Sequence, residues 1–291
     1  MKVGVTAASG RLGHAILPEL VAALGSENVV GIARDPARIR IPGLEKRAGD
    51  YGDPVGLVKS LAGIDVVIMI SAPVEVGRDR LAMHANVIDA AKQAKVRKLI
   101  YTSVIGDPVD ADALFYPSQL LNHYTETLAR DSGLEWVIAR NGLYIDLDLK
   151  SIRAAAESGV YRNNGLDGRC GYISIAELGF ALAQLAARDV GTGETLNLTG
   201  ENLTQAEMIA LVNEVFGLNV VYETITAQQC IDKFMAIPAY AARGIEVAQM
   251  LAGCFECMAD GKFAVPSDFE HAAGRPAKST RAQLEQIRAE D

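Results

Sequence analysis

The chain contains no apolar stretch near the roughly 18 unbroken residues that a membrane-spanning helix needs, although apolar residues fill 49 % of its 291 positions. Met1 leads directly into what reads as a strand, without the basic segment and cleavage site of a secretory signal, so the expected compartment is the cytoplasm. Positive charge is in deficit: 28 basic residues against 36 acidic ones give a formal charge of −8. That balance argues against nucleic acid or an anionic membrane as a partner held by charge. The four cysteines, Cys170, Cys230, Cys254 and Cys257, are too few to staple a chain of this length. Cys254 and Cys257 form a single C-x-x-C inside an apolar helical run, with no second pair to complete a metal site, and read as buried thiols. His14, His84, His123 and His271 lie far apart, so no metal is expected. Ser103 has no G-x-S-x-G or paired histidine around it to suggest a hydrolase.

What is present is an alternation of strands and helices. Strands are expected at Met1–Thr6, Val29–Arg34, Lys46–Asp50, Asp65–Ile70, Lys98–Thr102 and Trp136–Arg140. Helices are expected between them at Arg11–Leu24, Pro54–Leu61, Gly77–Lys95 and Ser118–Asp131. The first of these carries Leu12, Ile16, Leu20 and Leu24 on one face, with Pro18 expected to bend it. The pattern predicts an α/β fold: a Rossmann-type, doubly wound parallel sheet, with ligands bound along the edge formed by the loops after the strands. Beyond Tyr144 helical stretches dominate, at Ser151–Ser158, Ile175–Ala187, Thr204–Phe216, Ala227–Met235 and Tyr240–Asp260. Short strands are expected at Glu194–Leu198 and Val220–Tyr222. The expected organisation is a dinucleotide-binding domain over residues 1–147 and a smaller, mainly helical substrate lobe over 148–291. Part of 170–200 is expected to return to the first domain.

The sharpest motif is T-A-A-S-G-R-L-G, Thr6–Gly13, placed directly after the first strand and opening the first helix. Gly10 lets backbone approach a pyrophosphate, Gly13 lets the helix pack on the strand, and the helix N-terminus offers unpaired N–H groups to phosphate. The first glycine of the usual fingerprint is replaced by Ala7. At the end of the second strand stands Arg34, where an acidic residue would hold ribose hydroxyls and an arginine accommodates a 2′-phosphate. NADP(H) is therefore favoured over NAD(H). Asp35 reads as the cap of a helix begun by Pro36.

Taken in order, the T-x-A-S-G-x-L-G turn, Arg34, G-D-Y at Gly49–Tyr51, I-S-A-P at Ile70–Pro73, R-N-G-L-Y at Arg140–Tyr144 and G-R-P-A-K-S at Gly274–Ser279 resemble the NmrA-like atypical short-chain dehydrogenase/reductases. The likeness is in particular to their bacterial quinone oxidoreductase and triphenylmethane reductase branch. The resemblance implies that Thr6, Ala7, Ala8, Ser9, Gly10, Arg11 and Leu12 cradle the pyrophosphate and that Arg34 grips the 2′-phosphate. It implies that Asp50 and Tyr51 lie near the adenine, and that Ser71, Ala72 and Pro73 line the path to the nicotinamide ribose. Asn141, Gly142, Leu143 and Tyr144 would stand beside the nicotinamide and substrate, with Tyr144 equally readable as a core aromatic.

The Tyr-x-x-x-Lys pair of standard short-chain dehydrogenases, whose lysine position usually holds lysine or histidine in this branch, is missing, since none of the nine tyrosines has a lysine four residues on. Aligned on Glu126, the lysine position holds Asn122 and the tyrosine position Ser118. His123, one residue further, is a candidate displaced donor, although one helical step turns it by about 100°. Tyr116 and Tyr124 read as packing residues. The expected function is an NADPH-dependent reductase acting on a small quinone-like or otherwise conjugated molecule that needs little acid catalysis. The alternatives are a non-catalytic NADP(H)-binding redox sensor and a pathway-specific reductase or isomerase of the same family. A homodimer is compatible with the resemblance.

Arg34→Ala should weaken NADPH binding by roughly 1.5–3 kcal/mol, one ionic hydrogen bond, while leaving NADH nearly untouched. Titration of both cofactors checks this, and equal losses would remove Arg34 from the site.

Overall fold

The computed structural model describes residues 1–73, 77–108 and 110–290. The first half alternates as β1 (Val3–Val5), α1 (Arg11–Leu24), β2 (Val29–Ala33), β3 (Glu45–Ala48), α2 (Pro54–Ser60), β4 (Val66–Met69), α3 (Arg80–Gln93), β5 (Lys98–Val104), α4 (Tyr116–Arg130) and β6 (Glu135–Asn141). There follow β7 (Leu143–Tyr144), α5 (Ile145–Ala154), β8 (Val160–Asn163), β9 (Arg169–Ile173), α6 (Ile175–Ala187), β10 (Glu194–Leu198) and β11 (Asn202–Thr204). The rest is α7 (Gln205–Phe216), β12 (Val221–Thr224), α8 (Ala227–Met235), α9 (Pro238–Ala241), α10 (Ile245–Ala259), α11 (Phe269–Ala273) and α12 (Thr280–Glu290).

Seven strands form one sheet in the order β10-β6-β5-β4-β1-β2-β3, and every neighbouring pair in it is parallel. The order reverses at β1, so the loops after β1 and β4 diverge and leave the crevice where open α/β sheets bind ligands. β4 is buried on both faces, as a central parallel strand must be when helices cover both sides. One apolar layer combines Leu12, Ile16 and Leu20 of α1 with Leu178, Leu182 and Leu185 of α6. The other packs Leu57, Leu61, Val87 and Ile88 beneath the opposite face.

The sequence signals for helix boundaries hold where a cap fixes them. Asp35 accepts the Ala37 N–H at the start of a short helical turn over Pro36–Arg38, and Thr204 and Glu207 form a reciprocal capping box on α7. α1 runs on through Pro18. Three elements differ from expectation by more than two residues. The helix expected from Gly77 starts at Arg80, because the Asp79 carboxylate accepts the Ala82 N–H and so fixes the cap there. The helix expected over Ser151–Ser158 begins at Ile145, immediately after β7. The helix expected over Tyr240–Asp260 is two, parted at Gly244, whose φ of +90° no helix accommodates. Strands β7, β8, β9 and β11 escaped notice, being short and interrupted by polar residues and glycine. They build a three-stranded sheet, β11-β9-β7, and a pair, β12-β8.

Two elements after residue 170 belong physically to the large sheet. β10 extends it beside β6, and α6 lies against α1 at a point where Gly179 faces Ala15. A methyl group on Gly179 would sit 2.7 Å from the Ala15 side chain and backbone, so the absent side chain sets the distance between the helices. Gly179→Ala should therefore cost about 1–3 kcal/mol through overpacking, read as a lower urea midpoint. An unchanged midpoint would mean that the helices separate freely.

Candidate cofactor and substrate site

The turn after β1 rests on a buried hydroxyl network. Thr6 is fully buried; its N–H donates to Ile68 O at 3.0 Å, and its Oγ1 accepts the Ile70 N–H at 3.2 Å. The Tyr51 hydroxyl meets Thr6 Oγ1 from below and donates to Ile70 O at 2.7 Å. Burial pushes the Tyr51 phenol well above its ordinary range. Ala7 follows with φ +48°, the left-handed region that glycine enters freely and alanine does not. Gly13 sits so close beneath the turn that a Cβ on it would lie 2.6 Å from Ala8 Cα. Between them, exposed Gly10 opens α1 with no side-chain cap, and no acidic residue stands in the helix's first turn. An uncapped, acid-free helix N-terminus behind a bare glycine suits a pyrophosphate.

Next to this turn lies a cavity of about 290 Å³ at the carboxyl edge of the sheet. Its polar wall includes Arg11, Ser71, Arg80, Asn122, Asn141 and Tyr144, and its apolar wall Leu12, Ile70, Val104, Leu147 and Ile175. Thr102 and Ser103 complete it from β5. The Asn141 amide donates to the Tyr144 hydroxyl at 2.9 Å, while Asn141 Oδ1 is buried with no partner among the described residues. An orphan acceptor in the cavity wall suits a ligand carrying an N–H donor. Burial raises the Tyr144 pKa.

Behind the wall the polar groups interlock. Tyr101, fully buried, donates to Asn122 Oδ1 at 2.9 Å and shares a 3.0 Å hydrogen bond with Ser71 Oγ. Arg80 donates from Nη2 to Ser71 Oγ and Asn122 Oδ1, each at 3.1 Å, and from Nε to Ala72 O at 2.6 Å. The Ala72 N–H donates to His84 Nε2 at 2.9 Å. That nitrogen must therefore be unprotonated, so Nδ1 carries the hydrogen and donates to Thr125 Oγ1, also at 2.9 Å. Burial, helped by the nearby Arg80 charge, lowers the His84 pKa to about 3. One helical turn beyond Asn122, buried Glu126 takes both Arg140 and Arg130 and the Ser103 hydroxyl. Burial raises its pKa, but the Arg140 and Ser103 hydrogen bonds outweigh this and keep it below its ordinary value.

The cavity thus gathers Arg11, Leu12, Ser71, Asn122, Asn141 and Tyr144 from the expected site, with Ala7, Ser9 and Gly10 in the adjoining turn. The other expected residues lie outside the cavity lining. Thr6, Ala8, Tyr51 and Ala72 are buried under the turn and the β4 loop, so their side chains shape the site from below. Gly142 and Leu143 face the C-terminal sheet: a Cβ on Gly142 would meet Gly171 O at 2.6 Å, and Leu143 pairs with Tyr172. Pro73 is exposed beyond the cavity. His123 lies outside it, 41 % exposed and 3.8 Å from Glu126, because one residue along α4 turns it away from Asn122. Asp50 accepts the Gly52 N–H and pairs with Arg78; that backbone bond first, then Arg78 and the Arg34 charge, keep its pKa low.

Arg80, Tyr101 and His84 were missed by sequence reading. Arg80 and His84 stand four apart on one face of α3, a spacing that marks two polar residues sharing a buried side. Cys170, Cys230 and Cys257 are buried and Cys254 half-buried, all as free thiols; burial raises Cys257 to about 11. Among the described residues no cluster suits a metal ion, and no helix is long and apolar enough to cross a membrane.

Residues 7–175 match a family model described as NAD(P)H-binding. Quinone oxidoreductase 2 of Escherichia coli (strain K12) is 31 % identical over 228 residues, 77 % of this chain and 78 % of that protein. An Escherichia coli NADPH-dependent quinone oxidoreductase, solved with NADPH, superposes with a TM-score of 0.86 at 26 % identity, covering 98 % of this chain and 99 % of that one. Citrobacter sp. triphenylmethane reductase complexed with NADP(H) superposes with the same TM-score at 25 % identity, again over 98 % and 99 % of the two chains.

The neutral His84 has a consequence for stability. The folded protein protonates it only near pH 3, whereas the unfolded chain does so near pH 6.5. Unfolding therefore takes up a proton in that window, and this contribution, complete above pH 6.5, is lost as pH falls, by about 2 kcal/mol at pH 5. Urea unfolding at pH 7 and pH 5 should show a smaller drop for His84→Gln than for the unchanged protein. An equal drop would assign the acid sensitivity to another group.

Proposed function

The chain belongs to the NAD(P)H-binding family, in its NmrA-like branch, and on that footing we propose that it is an NADPH-dependent reductase passing hydride to a quinone or similarly conjugated acceptor. The observation that carries this reading is the cavity wall itself. It joins the pyrophosphate turn to an apolar face, and its one tyrosine, Tyr144, is fixed by Asn141 rather than by a lysine. A proton-relaying tyrosine needs a lowered pKa, and burial moves Tyr144 the other way. Tyr101 is also unsuited, since it is sealed in the core and aims its proton at Asn122.

Bound NADPH would supply the hydride. The exposed Gly10 turn and the start of α1 would hold its pyrophosphate, Arg34 its 2′-phosphate, and Asn141 Oδ1 would accept from an amide of the nicotinamide end. Leu12, Ile70, Val104, Leu147 and Ile175 would exclude water and present a flat ring for transfer. A ring that spreads the incoming charge needs no strong acid beside it. A simple ketone, which concentrates charge on one oxygen, does.

Consumption of NADPH should be rapid with small quinones and nearly absent with unactivated ketones. Tyr144→Phe should change the quinone rate by less than about tenfold, short of the roughly 10²–10⁴-fold loss expected for a general acid. Fast ketone turnover that Tyr144→Phe abolishes would overturn the reading.

A further inference from the structure

Arg80 carries a charge that its structural role does not require. Of its five N–H groups, Nε–H and both on Nη2 are taken, by Ala72 O, Ser71 Oγ and Asn122 Oδ1. All three acceptors are neutral, and no carboxylate pairs with Arg80 among the described residues. A guanidinium stays ionised even where burial lowers its pKa, as it does here. Among the described residues Nη1 makes no hydrogen bond, and it is not among the buried unpartnered atoms, so it is the accessible, unspent edge of a side chain that lines the cavity. A neutral amide could have tied the β4 loop to α4 without the cost of a desolvated cation. Arg11, the other cation in the wall, belongs to the pyrophosphate turn, whose ligand would neutralise it.

We propose that Arg80 makes this cavity an anion-accepting site, its Nη1 edge receiving the acceptor oxygen on which negative charge gathers during reduction. The idea rests on the reductase reading and supplies what that reading leaves open, namely what takes the place of an acid. Hydride arrival brings an electron pair to the quinone and oxidises NADPH to NADP⁺. One C–H bond breaks, one O–H or C–H bond forms, and an anionic oxygen remains until water protonates it. Nη1 would pair with that oxygen through a charge-assisted hydrogen bond. The site should therefore prefer acceptors that already carry an ionised oxygen.

The test uses the protein saturated with NADP⁺, which cannot turn over. A hydroxynaphthoquinone, ionised at neutral pH, and its neutral unhydroxylated parent are titrated by calorimetry, and NADPH oxidation with both is measured in parallel. The protein should bind the anion at least about tenfold tighter than the parent. Arg80→Gln should erase that preference while leaving NADPH affinity within about threefold, and Arg80→Lys, which keeps the charge, should retain part of it. Equal binding of the two quinones, a preference that survives in Arg80→Gln, or one that vanishes in Arg11→Gln instead, would each overturn the proposal. So would a loss confined to NADPH affinity, which would make Arg80 a cofactor ligand. If the preference follows Arg80 but no quinone is reduced, the anion site stands and the reductase reading falls. If quinones are reduced without any preference, the reverse holds.

Discussion

The close seating of α1 on the end of β1 governs much of this molecule. Gly13 leaves no room for a side chain over Ala8, so the helix axis starts almost on top of the strand and its free N–H groups point into the crevice beside β4. α6 repeats the device on the other side, with Gly179 against Ala15. Because α6 is held there, Ile175 at its first turn reaches the same cavity as Leu12 at the first turn of α1. Two missing methyl groups thus bring Leu12 and Ile175, 163 positions apart in the chain, to one opening.

A second layer of organisation is polar and sealed. His84 holds the Ala72 backbone, Ala72 O and Ser71 hold Arg80, and Asn122 joins these to Tyr101 and, through α4, to the Glu126 ion pairs. Such a network is costly when half satisfied and rigid when complete. Here nearly every donor and acceptor is matched, with Asn141 Oδ1 and Arg80 Nη1 left unpartnered among the described residues, both on side chains that line the cavity. Rigid support behind open valences is the arrangement a preorganised site calls for.

The Rossmann architecture was readable because parallel strands such as Val66–Met69 announce themselves by unbroken apolar character, and because the Thr6–Gly13 turn follows the first of them. Ser71, Asn141 and Tyr144 were readable from motif order. What could not be read were contacts made across the sheet. Nothing in the local pattern ties Arg80 to Asn122, which lies 42 positions away, or shows that the Tyr51 hydroxyl is spent on Thr6. In the small sheets β11-β9-β7 and β12-β8 only β12 was legible, at Val220–Tyr222; the other strands are two to five residues long and owe their conformation to partners rather than to periodicity.

The backbone of Ala7 carries one more implication. An L-residue with a side chain enters the left-handed region at a penalty of roughly 1–2 kcal/mol, yet Ala7 stands there at φ +48°, where the usual fingerprint has glycine. That penalty is met when the chain folds, and binding adds nothing to it. A glycine in the same place would leave the bend free to flicker among several shapes, whereas a methyl group removes most of them. The concavity offered to a phosphate is accordingly closer to a cast than to a hinge. At this corner the fingerprint persists as a set of torsion angles after one of its letters has changed.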